Sequence, residues 1–206
     1  PTEDYRIESS DSLRLIFQAF NSSGASAARV LADNGAEVNV LSSESLAGPN
    51  AAVLRSCIVL ASPLKSINLS VVSANGAACR ASHVALVVLY APVKPPDGTD
   101  PTLRPLVVPA FVMPMGAQPF DLLLSQSYMA AAGLLNEQVE PVPPNRVPRP
   151  YIRVKFAEPL PCVLPPIFSF YVPKMMALYE NLCRRAKKRA ALQAASQHDG
   201  PPHSSA

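Results

Sequence analysis

The chain has 206 residues, 49% of them hydrophobic, with 6% aromatics, no tryptophan and a formal net charge of +3. That is enough apolar material for one packed domain with extensions, its core resting on Val, Leu, Ile and Ala. Twenty-three prolines against eight glycines exclude a helical bundle, and no apolar run is long enough to span a membrane.

After a polar lead-in, residues 13–20 (LRLIFQAF) read as a strand closed by the turn Asn21-Ser22-Ser23-Gly24. Residues 28–32 are short and apolar, Asp33-Asn34-Gly35 is a turn signal, and residues 38–46 fit a brief strand or a helix. Residues 56–62, 67–73 and 77–90 are rich in Val, Ile and Leu at strand lengths. Asn75-Gly76 between the last two is a strong hairpin cue, because both residues tolerate positive φ. Residues 91–105 (APVKPPDGTDPTLRP) read as an exposed loop. Residues 106–113 form the next expected strand, followed by a turn, a strand at 120–125 and a short helix at 127–135 that stops near Gly133. Residues 140–150 (EPVPPNRVPRP) are a semi-rigid linker, residues 151–156 a candidate strand, and residues 174–195 an amphipathic basic helix, ahead of a disordered end.

Charge divides along the same line. Residues 1–150 hold ten Lys/Arg and twelve Asp/Glu (−2), residues 151–206 eight and three (+5), so the main domain has no electrostatic reason to seek nucleic acid. Cys57, Cys79, Cys162 and Cys183 form no CxxC pair and have no His at ligand spacing, so no metal site and no cofactor is expected. The opening PTEDYRIESS carries no secretory pattern, and it starts on proline, as an excised piece of a longer chain would. An intracellular, reducing setting is the expectation, with the sequons at Asn21 and Asn68 as background matches.

The stretch LADNGAEVNVLS, residues 31–42, decides between two chemistries. Read as a helix followed by a strand, it resembles the opening of a Rossmann-type NAD(P)-binding oxidoreductase of the short-chain dehydrogenase kind. That chemistry needs a glycine-rich turn so that backbone N–H groups can reach the pyrophosphate. Here only Gly24 is present, and Tyr128 is followed by Met-Ala-Ala-Ala where a catalytic lysine should stand. Read as a strand, the stretch delivers Asp33 to a tight turn in which Gly35 allows close backbone packing and Ala36 leaves space beside the carboxylate.

The strand reading resembles the active-site loop of retropepsin-like aspartic proteases of long-terminal-repeat retrotransposons, with catalytic Asp33 in a loop of Asn34, Gly35 and Ala36. The resemblance continues in order along residues 12–136. Residues 67–82 look like the flap hairpin, with Ser73, Ala74, Asn75, Gly76 and Ala77 at its tip. Residues 106–125 look like the last core strands and the motif beneath the catalytic loop, here Leu123-Leu124-Ser125. Residues 127–135 look like the C-terminal helix. It implies a mainly β, retropepsin-like acid-protease barrel with a short C-terminal helix, a proline-rich linker and a basic helical tail. The implied division is a disordered lead-in at 1–11, the protease domain at 12–136, a proline-rich extension at 137–172, and the basic helix and tail at 173–206.

Two residues depart from the family's pattern. Asn34 stands where Thr or Ser braces the two loops of a dimer, and an amide is larger and aimed differently. Ser125 stands where the family has Gly, so an added Cβ and hydroxyl must find room and a partner. Two readings therefore remain open. One is an aspartic endopeptidase that processes a retroelement Gag-Pol type polyprotein, in the cytoplasm or within a virus-like particle. The other is a catalytically silent module that dimerises or binds an extended peptide.

A single Asp-x-Gly loop cannot do the chemistry alone. Two carboxylates must share one proton, so the resemblance implies a homodimer in which Asp33 of each copy meets at the two-fold axis. Pocket walls are expected near Val38, Val72 and Leu123. Asp121 is expected to hydrogen-bond locally, His83 to be a partly exposed sheet residue, and Cys57 and Cys79 to be small thiols in or near the core. The basic helix reads first as a solvated face, and second as a weak nucleic-acid contact through residues 184–189.

Overall fold

The computed structural model describes residues 5–11, 13–64, 70–72, 76–137 and 150–154, together with Asn181, Arg184 and Lys188. The strands are β1 (Tyr5–Glu8), β2 (Ile16–Phe20), β3 (Ser26–Asp33), β4 (Val40–Ser42), β5 (Ile58–Pro63), β6 (Ser70–Val72), β7 (Ala78–Arg80), β8 (His83–Val93), β9 (Thr102–Met113), β10 (Leu122–Ser125), β11 (Leu134–Glu137) and β12 (Tyr151–Val154). Two short helices join them, α1 (Ala51–Ser56) and α2 (Gln126–Ala132). The protein is mainly β, as its Val- and Ile-rich segments anticipate.

Six strands close into a barrel in the order β2-β3-β10-β4-β9-β8, sealed where Phe20 pairs with Tyr90. The free edge of β8 is shared, because β5 pairs along its first half and β2 meets it at Tyr90. Closure removes most of the unpaired edge that an open sheet would expose. β8 and β9 form the longest ladder, from His83 opposite Val112 to Val93 opposite Thr102. Their apolar runs are buried on both faces, including Val84, Leu86, Leu89, Leu106, Val108 and Phe111. Tyr128 of α2 is buried, and its hydroxyl donates to the Val107 carbonyl at 2.9 Å, fixing the helix to β9.

β10 lies between β3 and β4, parallel to β3 and antiparallel to β4. The two strands that flank the Asp33 turn are therefore held apart by a third from much later in the chain. A separate three-stranded sheet, β1-β12-β11, joins the first described strand to the last. It contributes Ile7, Leu134, Ile152 and Val154 to the common core.

Several expectations change. Residues 26–33 are strand, antiparallel to β2, so the helix that a dinucleotide-binding fold requires there does not exist. Residues 5–8, expected in a disordered lead-in, form β1. Leu13 lies in a loop, 91% exposed, and β2 begins only at Ile16. Residues 38–46 contain a strand of three residues, and α1 fills 51–56 ahead of β5. Residues 91–105 are no exposed loop at their ends. β8 runs through Pro92 and β9 starts before Pro105, with Tyr90 opposite Pro105 and Pro92 opposite Leu103. Proline is compatible with extended backbone wherever its missing N–H is not needed by the ladder. The expected helix at 127–135 is α2, running from its cap at Ser125 to Gly133. Of the basic helix, Asn181, Arg184 and Lys188 are described, helical and exposed, at a spacing that puts them on one solvated face. The rest of residues 155–206 lies outside the described residues.

Candidate active site

The register places each residue of the Asp33 turn. Ile16 faces Leu31 across β2 and β3, the Ala32 N–H donates to the Leu15 carbonyl at 2.9 Å, and Asp33 ends β3 directly beside Ser125 of β10. The chain then turns. The Gly35 N–H donates to Asp33 Oδ1 at 2.8 Å, and the Ala36 N–H donates to the Asp33 carbonyl at 3.3 Å. The Ala36 carbonyl in turn accepts the Gln126 N–H at 3.0 Å, which ties the turn to the first residue of α2. Asp33 is half-buried, whereas Asn34 and Gly35 are exposed. A Cβ on Gly35 would lie 3.3 Å from Asp33 Oδ1, so glycine is the residue that lets the carboxylate lie back on its own turn.

Below the turn sits a residue that sequence reasoning did not single out. Asn39 is 1% exposed, its Nδ2 donates to the Pro109 carbonyl at 2.8 Å, and its Oδ1 accepts the Ser125 N–H at 2.7 Å. Its own carbonyl accepts the Phe111 N–H at 3.0 Å. One side chain thus cross-links β9 and β10 under the candidate site. The available signal was an amide inside the apolar run Val38-Asn39-Val40-Leu41, since a buried amide must find partners.

Ser125 is buried, and its hydroxyl has found a role. It caps α2, accepting the Tyr128 N–H at 3.3 Å, and lies 3.2 Å from the Ser127 hydroxyl. Leu124 pairs with Ala32 and is buried, while Leu123 lies between Leu31 and Val40 and is half-buried. Val38 is half-buried, and Val72 is 68% exposed.

The hairpin expected at residues 67–82 is present as β6 and β7, with Val72 opposite Ala78. Gly76 has φ +81 and, like Ala77, is exposed. Ser73, Ala74 and Asn75 lie outside the described residues. The structure brings together Asp33, Gly35, Ala36, Leu124 and Ser125. The hairpin forms a two-stranded sheet of its own.

At the far end of β3 and β10, Asp121 does more than bond locally. It accepts the Arg29 N–H at 2.7 Å and the Ser45 hydroxyl at 2.7 Å, and lies 3.8 Å from the Arg29 guanidinium. Beside it, the Glu44 carboxylate accepts the N–H groups of Met115 and Gly116 and the Ser42 hydroxyl. Burial pushes the Glu44 carboxyl up, but the N–H groups of Met115, Glu44 itself and Gly116, with Ser42, outweigh it and hold the pKa at about 2. A cavity of about 320 Å³ opens here, lined by Gln18, Arg29, Glu44, Ser45, Phe120 and Asp121 among others. Asp33 is not part of it.

Elsewhere the titratable side chains have local roles. Asp97 accepts from Thr99 in an exposed turn, which lowers its pKa. His83 is exposed, with Nδ1 3.0 Å from the Ser82 hydroxyl. Cys57 is buried and its thiol is pushed up by desolvation, while Cys79 is half-buried. Among the described residues, no group of three or more His, Cys, Asp or Glu is placed to hold a metal ion, and no helix is long and apolar enough to cross a membrane.

Compared with protein-family models, with curated proteins and with solved structures, the chain matches none.

Proposed function

We propose that this chain is a retropepsin-like aspartic endopeptidase of a retroelement polyprotein, acting as a homodimer in which each copy supplies Asp33. One observation carries the reading. Asp33 ends a strand on a glycine turn, and β10 from the far end of the domain runs between the two strands that flank that turn. This arrangement fixes a carboxylate at the rim of a rigid barrel. Asp33 is half-buried and lies outside the cavity beside Glu44 and Asp121, which suits a cleft completed by a second copy. Leu13, 91% exposed on a loop at the same barrel end, is an apolar side chain that such a copy would cover.

In this reading two Asp33 carboxylates share one proton at the two-fold axis. The ionised one takes a proton from water, while its protonated partner polarises the scissile carbonyl. The substrate binds as an added strand, with its backbone satisfied along the cleft and alternate side chains in apolar pockets. The β6–β7 hairpin closes over it and excludes water. The setting is intracellular, and the basic segment 184–189 is first a solvated face, with a weak nucleic-acid contact as its second reading.

Asn34 favours a second reading, in which the same fold dimerises or binds an extended peptide without cutting it. Its amide replaces the hydroxyl expected between Asp33 and Gly35. A peptide-library digest at mildly acidic pH, with and without pepstatin, separates the two. Cleavage that pepstatin blocks and Asp33→Ala abolishes supports the protease. A folded dimer that cleaves nothing under any condition overturns it in favour of the binding module.

A further inference from the structure

The outer face of β3, β10 and β4 carries its side chains in rows of different chemistry. Side chains alternate along a strand, and cross-strand partners share a face. Leu31 pairs with Leu123, and Leu123 with Val40, so these three form an apolar row. Asp33 lies two residues beyond Leu31 on the same face. Two residues the other way comes a polar row of Arg29, Asp121 and Ser42. The Asp121 N–H donates to the Arg29 carbonyl at 2.8 Å and the Ser42 N–H to the Asp121 carbonyl at 2.9 Å, which joins that row. The alternate residues Val30, Ala32, Leu41, Leu122 and Leu124 face inward and are buried in the core.

The cavity of about 320 Å³ opens at the polar row, which puts it at the lower end of the roughly 300–1,000 Å³ of ligand sites. The Arg29 side chain is 52% exposed, and its Nε lies 3.8 Å from Asp121 Oδ2, beyond hydrogen-bond distance. Its guanidinium donors are therefore open to a ligand. Gln18 donates through Nε2 to the Ala19 and Ala28 carbonyls at 3.0 and 2.8 Å, which leaves Oε1 as an acceptor. Asp121 accepts the Arg29 N–H on Oδ2 and the Ser45 hydroxyl on Oδ1, and each oxygen keeps a second lone pair.

Opposite charges this close disfavour a ligand of either sign. An acid drawn to Arg29 meets Asp121 and Glu44, and a base drawn to those carboxylates meets Arg29. An apolar group would desolvate the guanidinium and the carboxylate without bonding to either. A carboxamide is neutral, and it offers a carbonyl to the guanidinium and an NH2 to Asp121 or to Gln18 Oε1. We propose that Arg29 and Asp121 form a specificity-determining subsite for a Gln or Asn side chain of the peptide substrate, two residues from an apolar side chain seated on Leu31 and Leu123. The strands set that spacing. Rows two residues apart lie about 6.6 Å apart along β3, as do successive same-side side chains of an extended peptide. The role as a substrate subsite rests on the protease reading, whereas recognition of the amide does not.

Cleavage profiling of the full chain on a randomised peptide library tests it, with Arg29→Met as the variant. The backbone N–H of Arg29 keeps its bond to Asp121 in that variant, and the lost side chain is an exposed one. The expected profile enriches Gln or Asn at one position, two residues beyond an apolar one on the same side of the cut bond. The kcat/KM ratio of a Gln peptide to its Leu counterpart should be roughly 10 in the parent, as one or two hydrogen bonds to a charged group give, and near one in Arg29→Met. Enrichment of acidic, basic or apolar residues at that position, or a Gln preference that Arg29→Met leaves intact, overturns the subsite.

Should no library peptide be cut, the protease reading fails by itself and binding decides the inference. Fluorescein-labelled hexapeptides carrying Leu, with Gln, Glu, Lys or a second Leu two residues to either side, are titrated by fluorescence anisotropy. Several-fold tighter binding of a Gln peptide, lost in Arg29→Met, upholds the amide site. Equal curves for all four residues, or no binding of any peptide, overturn it.

Discussion

Ser125 lies beside Asp33 in the parallel ladder of β10 and β3, and its hydroxyl caps α2 by accepting the Tyr128 N–H. The side chain that departs from the protease pattern is therefore accommodated. Its Cβ is buried without leaving a polar group stranded, and its oxygen satisfies a helix N–H that glycine would leave to other partners. Of the two departures, Asn34 is the exposed one.

The cap has a measurable weight. Ser125→Ala removes the acceptor of the Tyr128 N–H and should lower stability by about 1 kcal/mol, read as a lower urea midpoint at unchanged slope. Gln126→Ala, at the exposed next position, should stay within about 0.5 kcal/mol of the parent. Equal effects from the two would show that the capping bond contributes nothing.

Asn39 should weigh more. Replacing it with leucine of similar size leaves the Pro109 carbonyl and the Ser125 N–H buried without this partner. Each orphaned group costs about 1–3 kcal/mol, so Asn39→Leu should destabilise the domain by roughly 2–4 kcal/mol in denaturant titration. A loss below about 1 kcal/mol would mean that the bridge between β9 and β10 is dispensable.

What the sequence made legible was local. The Val-rich runs announced strands, Asn75-Gly76 announced a hairpin that β6 and β7 form, and Gly133 marked the end of α2 at φ +70. Each signal acts within a few residues. Illegible were features that depend on distant neighbours. Asn39 reads as an interruption of an apolar run until Pro109 and Ser125 are beside it. Residues 91–105 read as loop because proline is a local breaker, yet Pro92 and Pro105 sit in a ladder fixed by the apolar residues on either side. The pairing of Tyr5–Glu8 with Tyr151–Val154 joins segments nearly the whole domain apart, and no pattern within either announces the other. For Asp33 the sequence favoured strand over helix, and the register of β2, β3 and β10 shows the strand.

Glu44 makes stability depend on acid. Its folded pKa of about 2 lies below the ordinary value of 4.5, so the unfolded chain takes up the proton first. The contribution is complete above about pH 4.5 and is lost as pH falls toward 2. Because the carboxylate is exposed, solvent screening reduces it to about 1 kcal/mol. Glu44→Gln should therefore be less stable than the parent at pH 6 and approach it at pH 2, in urea titrations across that range. A constant gap at all pH values would remove Glu44 as the source.

Gly35 separates placement of the acid from stability of the fold. Its backbone is not in the left-handed region, and its position is exposed, so alanine there meets no conformational strain. What the new Cβ meets is Asp33 Oδ1 at 3.3 Å, tighter than ordinary contact. Either the carboxylate turns or the loop gives by a few tenths of an ångström, which loosens the Gly35 N–H bond to the acid. Stability should stay within about 0.5 kcal/mol of the parent. Under the proposed protease reading, in which two such carboxylates must align, cleavage should fall roughly 10- to 100-fold in kcat/KM. Melting temperature and kcat/KM measured on the same preparation check the split. Parent-like kinetics in a parent-like fold would show that the Asp33 carboxylate does not rely on its own turn for its position.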